Sequence, residues 1–253
     1  YCDEVKADGF DLVDDFSDLF GMNAAGTDAK MRNTKESILE AQFTSGAGNW
    51  CTWMFGRDLV NWNNNFTWAK WVTPSRDLIS AFKQEGDEVR FKESIVYYDC
   101  NWSNYYPSDN YPFMYKCRSA NSSIIKYRYA DVLLLKAEAL IMQDTPDLEG
   151  AADIIDEVRD RAKLGALPTS VRSNKNVLLN ALLKERRLEL AFEGQRWFDL
   201  VRLDKVEEVM NAVYAKDSGR KAQIYTFDKN SYRLPIPQSV IDANDKIHQN
   251  PGY

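Results

Sequence analysis

Histidine is almost absent from the sequence: the 253 residues contain only one, His248. A single histidine excludes a zinc site built on several histidines, and Ser-His-Asp catalysis would have to use this one position. The phosphate-binding patterns G-x-G-x-x-G and G-x-x-x-x-G-K-[ST] are also absent. Because no serine or aspartate stands at a recognisable spacing from His248, we interpret it as a surface or packing residue.

Excess positive charge and long apolar runs are missing as well. The chain has 32 lysines and arginines against 38 acidic residues, a net charge of −6. This balance argues against a nucleic-acid-binding protein, because nothing in it favours a phosphate backbone. The longest apolar stretches, such as 132–135, are far too short to span a bilayer.

The four cysteines, Cys2, Cys51, Cys100 and Cys117, contain no C-x-x-C pair. This spacing argues against a zinc knuckle and against a thioredoxin-like motif. Cys100 and Cys117 bracket an aromatic segment and are the pair that an oxidising compartment would bridge, with a gain of about 3 kcal/mol in stability. Four reduced cysteines are the alternative.

The pattern along the chain predicts a mainly α-helical fold with a large irregular region and a few short strands. Each expected element rests on periodicity or on a capping residue. The expected strands cover 37–43 and 89–98. The first expected helix is represented by its closing turns at 1–7, before Gly9. A short helix follows Pro74, with Leu78, Ile79 and Phe82 on one face and Ser75 or Thr73 as its cap. A buried helix is expected at 127–142, then an amphipathic helix after a break at 144–147, with Asp147 or Thr145 as its cap, and two more helices at 176–192 and 206–215.

These elements divide the chain into parts of different character within one domain over 1–253. An acidic, mixed segment covers 1–42, and a loop-rich aromatic part over 43–117 holds 18 of the 32 aromatic residues. Residues 118–215 are helical, and the helices at 127–142 and after 147 predict a hairpin of the tetratricopeptide type. An irregular tail covers 216–253.

Glu185 and Glu189 are the most prominent acidic pair on a predicted helix. Read as catalysis, two carboxylates four residues apart could act as acid and base. The arginines close by and the apolar residues between them favour a structural interpretation, an ion-pair network that holds this helix to its neighbours. No calcium-loop spacing occurs among the other acidic residues, so neither a metal site nor a cofactor site is predicted.

The aromatic part has the composition of a neutral-sugar site. Between Phe43 and Ala69 the only charges are Arg57 and Asp58, and asparagines alternate with tryptophans. Tryptophan offers an apolar platform to a sugar ring, and the asparagine amide both donates to and accepts from hydroxyls. Packing beneath a long loop is the alternative for any single tryptophan. The candidate ligand-binding residues, chosen by composition, are Trp50, Trp53, Trp62, Asn63, Trp68, Trp71, Trp102 and Tyr105.

Four blocks in the second half together resemble the SusD/RagB family. They occur in the family's order, and weaker similarity at 12–20 and 33–43 extends the resemblance over nearly the whole chain. The blocks are Tyr-Arg-Tyr-Ala-Asp-Val-Leu-Leu-Leu-Lys-Ala-Glu-Ala at 127–139, Glu-Arg-Arg-Leu-Glu-Leu-Ala-Phe-Glu-Gly-Gln-Arg-Trp-Phe-Asp-Leu at 185–200, Leu-Pro-Ile-Pro at 234–237 and Gln-Asn-Pro-Gly-Tyr at 249–253.

The resemblance implies a non-enzymatic lipoprotein on the surface of the outer membrane of Gram-negative bacteria. Such a protein captures a nutrient, usually a glycan, and delivers it to a TonB-dependent transporter of the SusC type. It also implies tetratricopeptide-like helix pairs as the scaffold for an aromatic arc. The chain resembles the C-terminal half of the family fold, so the N-terminal half and its lipid-anchored cysteine are expected to be absent.

Two other functions fit the same sequence. A RagB-like protein would capture peptides, for which the low charge of 43–69 is a modest disadvantage. A scaffold that docks on the transporter without a ligand site of its own would instead turn its tryptophans towards that partner.

Overall fold

The computed structural model describes residues 1–26, 28–44, 48, 72–100, 103–118, 121–217 and 226–253. The fold is mainly α-helical, as predicted. The helices are α1 (Cys2–Ala7), α2 (Ser17–Phe20), α3 (Arg76–Glu85), α4 (Glu88–Ser94), α5 (Tyr129–Met142), α6 (Leu148–Arg161), α7 (Thr169–Arg172), α8 (Lys175–Glu189), α9 (Arg196–Arg202), α10 (Val206–Lys216) and α11 (Gln238–Asp242). The strands are β1 (Ser37–Ala41), β2 (Ile95–Tyr98), β3 (Tyr111–Met114) and β4 (Ile124–Arg128).

The first of two compact units, Tyr1–Gly194, is organised around α5, α6 and α8. Small and branched side chains of these helices, such as Ala137, Ile155 and Leu182, are almost completely buried and form one apolar core. The α5–α6 pair is a helical hairpin, and the Asp147 side chain caps α6 by accepting a bond of 2.9 Å from the backbone N–H of Gly150. The predicted break and cap are therefore confirmed.

Helix α5 departs from the prediction on one side. Its sequence is apolar nearly all round and predicts burial all round. In the structure one face packs into the core, whereas Leu135 and Met142 are 39% and 52% exposed. The residues before Tyr129 belong to β4, and so the helix also begins two residues later than predicted.

The two sheets of this unit are small antiparallel pairs. Strand β1, predicted at 37–43, pairs with β4, and β2 pairs with β3 so that Ile95 faces Met114 and Tyr98 faces Tyr111. The strand predicted at 89–98 is wrong in its first half, where α4 forms instead. Asp87 causes the difference, because its carboxylate accepts a 3.1 Å bond from the backbone N–H of Arg90 and starts a helix there.

Most of the other predicted elements have the expected ends. Ser75 caps α3 with a 3.1 Å bond from the backbone N–H of Leu78, and α1 precedes a glycine with positive φ, Gly9. Helix α8 ends at Glu189 rather than 192, since Phe192 and Gly194 adopt left-handed φ values of 65° and 84°. Cys100 and Cys117 are buried thiols that no disulfide joins, so the bridge left open by the sequence does not form.

The second unit, Gln195–Tyr253, contains α9, which the sequence did not predict, and α10. In the tail that follows, the described residues, 226–253, form only short helical turns. Two of the sequence blocks meet in this tail. The Gln249 side chain accepts a 2.8 Å bond from the Ile236 N–H and donates a 2.9 Å bond to the Ile236 carbonyl. Pro235 and Pro237 have no backbone N–H, so Ile236 is the only residue from 235 to 237 whose backbone has both a donor and an acceptor, and the Gln249 amide satisfies both. His248 is exposed.

Candidate ligand-binding site

The structure describes one of the eight residues predicted to bind ligand. Tyr105 lies in the loop between β2 and β3, and it is partly exposed. The other seven, Trp50, Trp53, Trp62, Asn63, Trp68, Trp71 and Trp102, lie outside the described residues.

The β2–β3 pair holds the loop that carries Tyr105. The loop is closed near its base by a 2.6 Å bond from the Cys100 N–H to the Ser108 carbonyl. A second tyrosine, Tyr106, donates a 2.7 Å bond from its hydroxyl to the carbonyl of Pro74, which fixes the loop against the residues preceding α3. The loop tip is therefore held from two sides.

Aromatic rings continue from the loop into the sheet. Tyr105 and Tyr106 contact edge to face with ring centroids 5.0 Å apart, and Tyr106 contacts Tyr111 in the same way at 5.6 Å. Tyr111 and Phe113 of β3 are almost completely buried and anchor the row. Edge-to-face pairs of this kind each contribute about 0.5–1.5 kcal/mol beyond the burial of their area.

Arg76, the first residue of α3, lies over the partly exposed rings of Tyr105 and Tyr106. Its guanidinium carbon lies 4.0 Å from the Tyr105 ring centroid and 4.5 Å from that of Tyr106. It also donates a hydrogen bond to the Tyr105 carbonyl. Sequence reasoning missed Arg76, because nothing in the sequence indicates that it lies beside residues about thirty positions further along the chain. It also missed Tyr106, although this residue directly follows the predicted Tyr105.

Two open depressions adjoin this aromatic row and share Tyr106 and Pro107. One, of about 470 Å³, is here named the α3 groove. The other, of about 830 Å³, is lined by the loop itself, including Ser103, Asn104 and Tyr105. Both volumes fall in the range of small-molecule sites. The α3 groove is lined by Arg76, Ile79, Ser80, Lys83, Gln84, Tyr97, Tyr106, Pro107 and Asn110.

The acidic pair on α8 forms a buried ion network, as the structural interpretation predicted. Glu189 is completely buried and bonds to Arg90, Arg128 and Arg161. Glu185 bonds to Arg90 and, at 3.2 Å, to Arg159. The most buried members of the network, none more than 11% exposed, are five carboxylates and five cations: Glu36, Asp87, Glu185, Glu189 and Glu193 with Arg90, Lys116, Arg128, Arg159 and Arg161. At the edge of the network, Glu85, which is 15% exposed, bonds to Arg159 and to Lys184.

The arginines adjacent in sequence have other partners. Arg186 pairs with Asp131 at 2.8 Å, and Arg187 pairs with Asp77 at 2.7 Å. The network therefore joins α8 to α4, α6 and the end of β4 through residues distant in sequence. The side chains expected to surround the acidic pair were the wrong ones, although the expected type of interaction is correct.

The ionisation of the network suits a structural role. Burial alone raises the pKa of Glu189, but Arg161, Arg128 and Arg90 outweigh it and hold that pKa well below its ordinary value. Burial lowers the pKa of Lys116 to about 8 against the opposing charge of Glu193. A glutamate so strongly held as an anion by three arginines is unsuited to proton transfer near neutral pH. Among the described residues no acidic, cysteine or histidine cluster is arranged to hold a metal ion.

The sequence model of the SusD family matches residues 115–253, which is more than half of the chain. The chain belongs to the SusD family. SusD-like proteins bind glycans and are not enzymes, in agreement with the prediction that this chain is not an enzyme. The match spans all four sequence blocks from Tyr127 onward, including the acidic pair that the ion network occupies.

Relatives within the SusD family support this assignment over different lengths of the chain. SusD-like protein P38 from Formosa agariphila is 43% identical over 99 residues, which are 37% of this chain and 19% of that protein. SusD-like protein P2 from the same organism is 36% identical over 143 residues, 54% of this chain and 27% of that protein. The chain thus spans about a quarter or less of these relatives.

Solved SusD-like structures share the fold over almost the whole chain. A SusD superfamily protein from Parabacteroides distasonis has a TM-score of 0.73 at 22% identity, covering 99% of this chain and 55% of that one. Surface glycan-binding protein A from Bacteroides thetaiotaomicron, in complex with laminarihexaose, has a TM-score of 0.73 at 20% identity, covering 99% and 58%. A laminarin-binding SusD-like protein has a TM-score of 0.66 at 24% identity, covering 97% and 54%.

Within the described residues, no helix combines the length and the apolar character needed to cross a membrane.

Proposed function

We propose that this chain is part of the glycan-binding surface subunit of a polysaccharide uptake system. The subunit captures an oligosaccharide and delivers it to a SusC-type TonB-dependent transporter in the outer membrane. SusD-family proteins are typically lipoproteins of the outer-membrane surface, and we extend that location to this protein.

The observation that carries the proposal is the aromatic row at the β2–β3 loop. Tyr105 is partly exposed and is braced by Tyr106 and by the Arg76 guanidinium, so its ring is held in place before any ligand arrives. A preorganised ring loses little conformational entropy on binding, and it offers an apolar face to the C–H surface of a sugar.

Polar groups beside the ring suit the rim of a sugar. Ser103, Asn104 and Ser108 line the same depression as Tyr105, and each combines donors and acceptors that match hydroxyl groups. Two SusD-like neighbours in structure bind laminarin or laminarihexaose, which supports a glycan as the ligand class.

We propose that the tryptophans predicted from composition extend the same surface. Trp102 precedes Tyr105 by three residues, and Trp50, Trp53, Trp62, Asn63, Trp68 and Trp71 belong to the segment that ends just before α3. The aromatic part 43–117 is then the ligand-binding part of one domain, as the sequence predicts, and 118–215 is its scaffold.

The test is to replace Tyr105 with alanine and measure binding to laminarin by affinity electrophoresis. Loss of one stacking ring should weaken binding roughly fivefold, since one aromatic contact contributes about 1 kcal/mol. Tyr127→Ala is the matched control, because Tyr127 is a 55% exposed tyrosine on the other sheet.

A Tyr105→Ala variant that retards in laminarin gels as strongly as the Tyr127→Ala control would contradict this placement of the site. Binding by the unchanged chain to some other soluble glycan, lost in Tyr105→Ala, would keep the site and change the sugar.

A further inference from the structure

The α3 groove differs in charge from the rest of this acidic protein. Two cations, Arg76 and Lys83, line it, and no acidic residue is among the described residues that do so. The chain as a whole has a net charge of −6. A positive groove on a negative molecule attracts anions locally, because nearby charges dominate over distant, screened ones.

The helical period places both cations on one face. Arg76, Ile79, Ser80 and Lys83 follow the spacing i, i+3, i+4 and i+7, which is a single stripe of α3. Seven residues of helix separate the Cα atoms of Arg76 and Lys83 by about 10 Å along the axis. The nearly buried Ile79 lies between them, so the stripe presents a charge at each end and an apolar centre.

The two cations differ in mobility. Arg76 is held by stacking on Tyr105 and Tyr106, so its planar guanidinium is oriented in advance. Lys83 is exposed, and no ion pair joins it to another residue that the structure describes. Its amino group is therefore available to a ligand.

The acidic residues of α3 are committed elsewhere. Asp77 binds Arg187 at 2.7 Å, and Glu85 binds Arg159 at 2.7 Å and also Lys184. These contacts draw the carboxylates away from the stripe that carries Arg76 and Lys83. The positive character of the groove is thus a property of how α3 packs as well as of its sequence.

Resting on the proposed glycan-binding function, we infer that the α3 groove binds an anionic substituent of the glycan, a carboxylate or a sulfate ester. The sugar that carries it lies next to the one on Tyr105, because the groove and the loop depression share Tyr106 and Pro107. Gln84 and Asn110 add amide donors for its hydroxyl oxygens.

The test compares Lys83→Gln with the matched control Lys175→Gln, an exposed lysine at the start of α8. Each variant of the full chain is titrated with polygalacturonate, dextran sulfate and neutral laminarin. An exposed ion pair contributes about 0.2–1 kcal/mol, so Lys83→Gln should weaken binding of an anionic probe by up to roughly fivefold. Laminarin binding should not change, and the anionic probe alone should bind more weakly at higher salt.

The three probes distinguish the possible anionic groups from one another, and they distinguish failure of the groove from failure of the proposed function. A Lys83-dependent loss with polygalacturonate identifies a carboxylate, and one with dextran sulfate identifies a sulfate ester. Equal affinity of Lys83→Gln and Lys175→Gln for both anionic probes, with laminarin still bound, would overturn the groove and leave the proposed function standing. If neither anionic probe binds the unchanged chain, the groove is overturned, whereas the proposed function is overturned only if no soluble glycan binds.

Discussion

Neutralising Glu189 should destabilise the protein more than any exposed charge change. The side chain is completely buried and contacts three arginines, Arg90, Arg128 and Arg161. Glu189→Gln keeps the shape of the side chain and removes its charge. Among the most buried members of the network, five carboxylates against five cations then become four against five, in a region from which water is excluded.

The size of the effect follows from this geometry. Removing one partner of a buried ion pair costs about 3–5 kcal/mol, because the other charge stays buried without compensation. Glu36 and Glu193 still contact Arg128, so we expect the lower end, about 3 kcal/mol. With a urea dependence of about 2 kcal/mol per molar, the unfolding midpoint should fall by about 1.5 M.

The assay is equilibrium unfolding in urea at pH 7, followed by far-ultraviolet circular dichroism. The matched control is Glu149→Gln, because Glu149 also bonds to an arginine, Arg172, but is 72% exposed. That control should lose no more than about 1 kcal/mol. If Glu189→Gln and Glu149→Gln lose equal stability, the network does not hold the fold together.

Two further predictions concern pH and helix capping. The unfolding free energy should decline as the pH drops below about 4.5, the ordinary pKa of a glutamate. In the folded protein, arginine and lysine neighbours hold the pKa values of Glu189 and Glu193 below this value. The two ionised carboxylates therefore contribute their full stabilisation above pH 4.5, and this stabilisation is lost as they protonate at lower pH. Glu185 opposes this trend, since burial raises its pKa, and Glu189→Gln should flatten the decline measured by urea unfolding at several pH values. Ser75→Ala should cost about 1 kcal/mol in the same assay, because it removes the hydrogen bond that begins α3; an unchanged midpoint would show that the cap contributes nothing.

Local signals in the sequence predicted much of the helical scaffold. Ser75 and Asp147 are capping residues that act within three positions along the chain, and both caps form as expected. The strand prediction fails over the first half of 89–98, because Asp87 caps a helix there. Asp87 also bonds to the side chain of Arg90, which adds a stabilising contact within the first turn of α4.

The sequence did not predict which side chains pair across long distances along the chain. The partners of Glu185 and Glu189 come from α4, α6 and β4, whereas the neighbouring Arg186 and Arg187 bond elsewhere. Tyr105 was chosen from composition alone, and Arg76 was missed although it covers the same ring. Composition predicts the kind of surface, but the side chains that brace it are brought together only by the fold.

Calorimetric titration of the chain against soluble polysaccharides tests the central claim most directly. The panel is laminarin, starch, xylan, mannan, pectin and a sulfated glycan, each with the unchanged chain and with Tyr105→Ala. We predict saturable heat from at least one glycan class and a clear loss of affinity in the variant. No heat from any of the glycans would contradict glycan capture by this chain, and heat that Tyr105→Ala leaves unchanged would contradict the site at the β2–β3 loop.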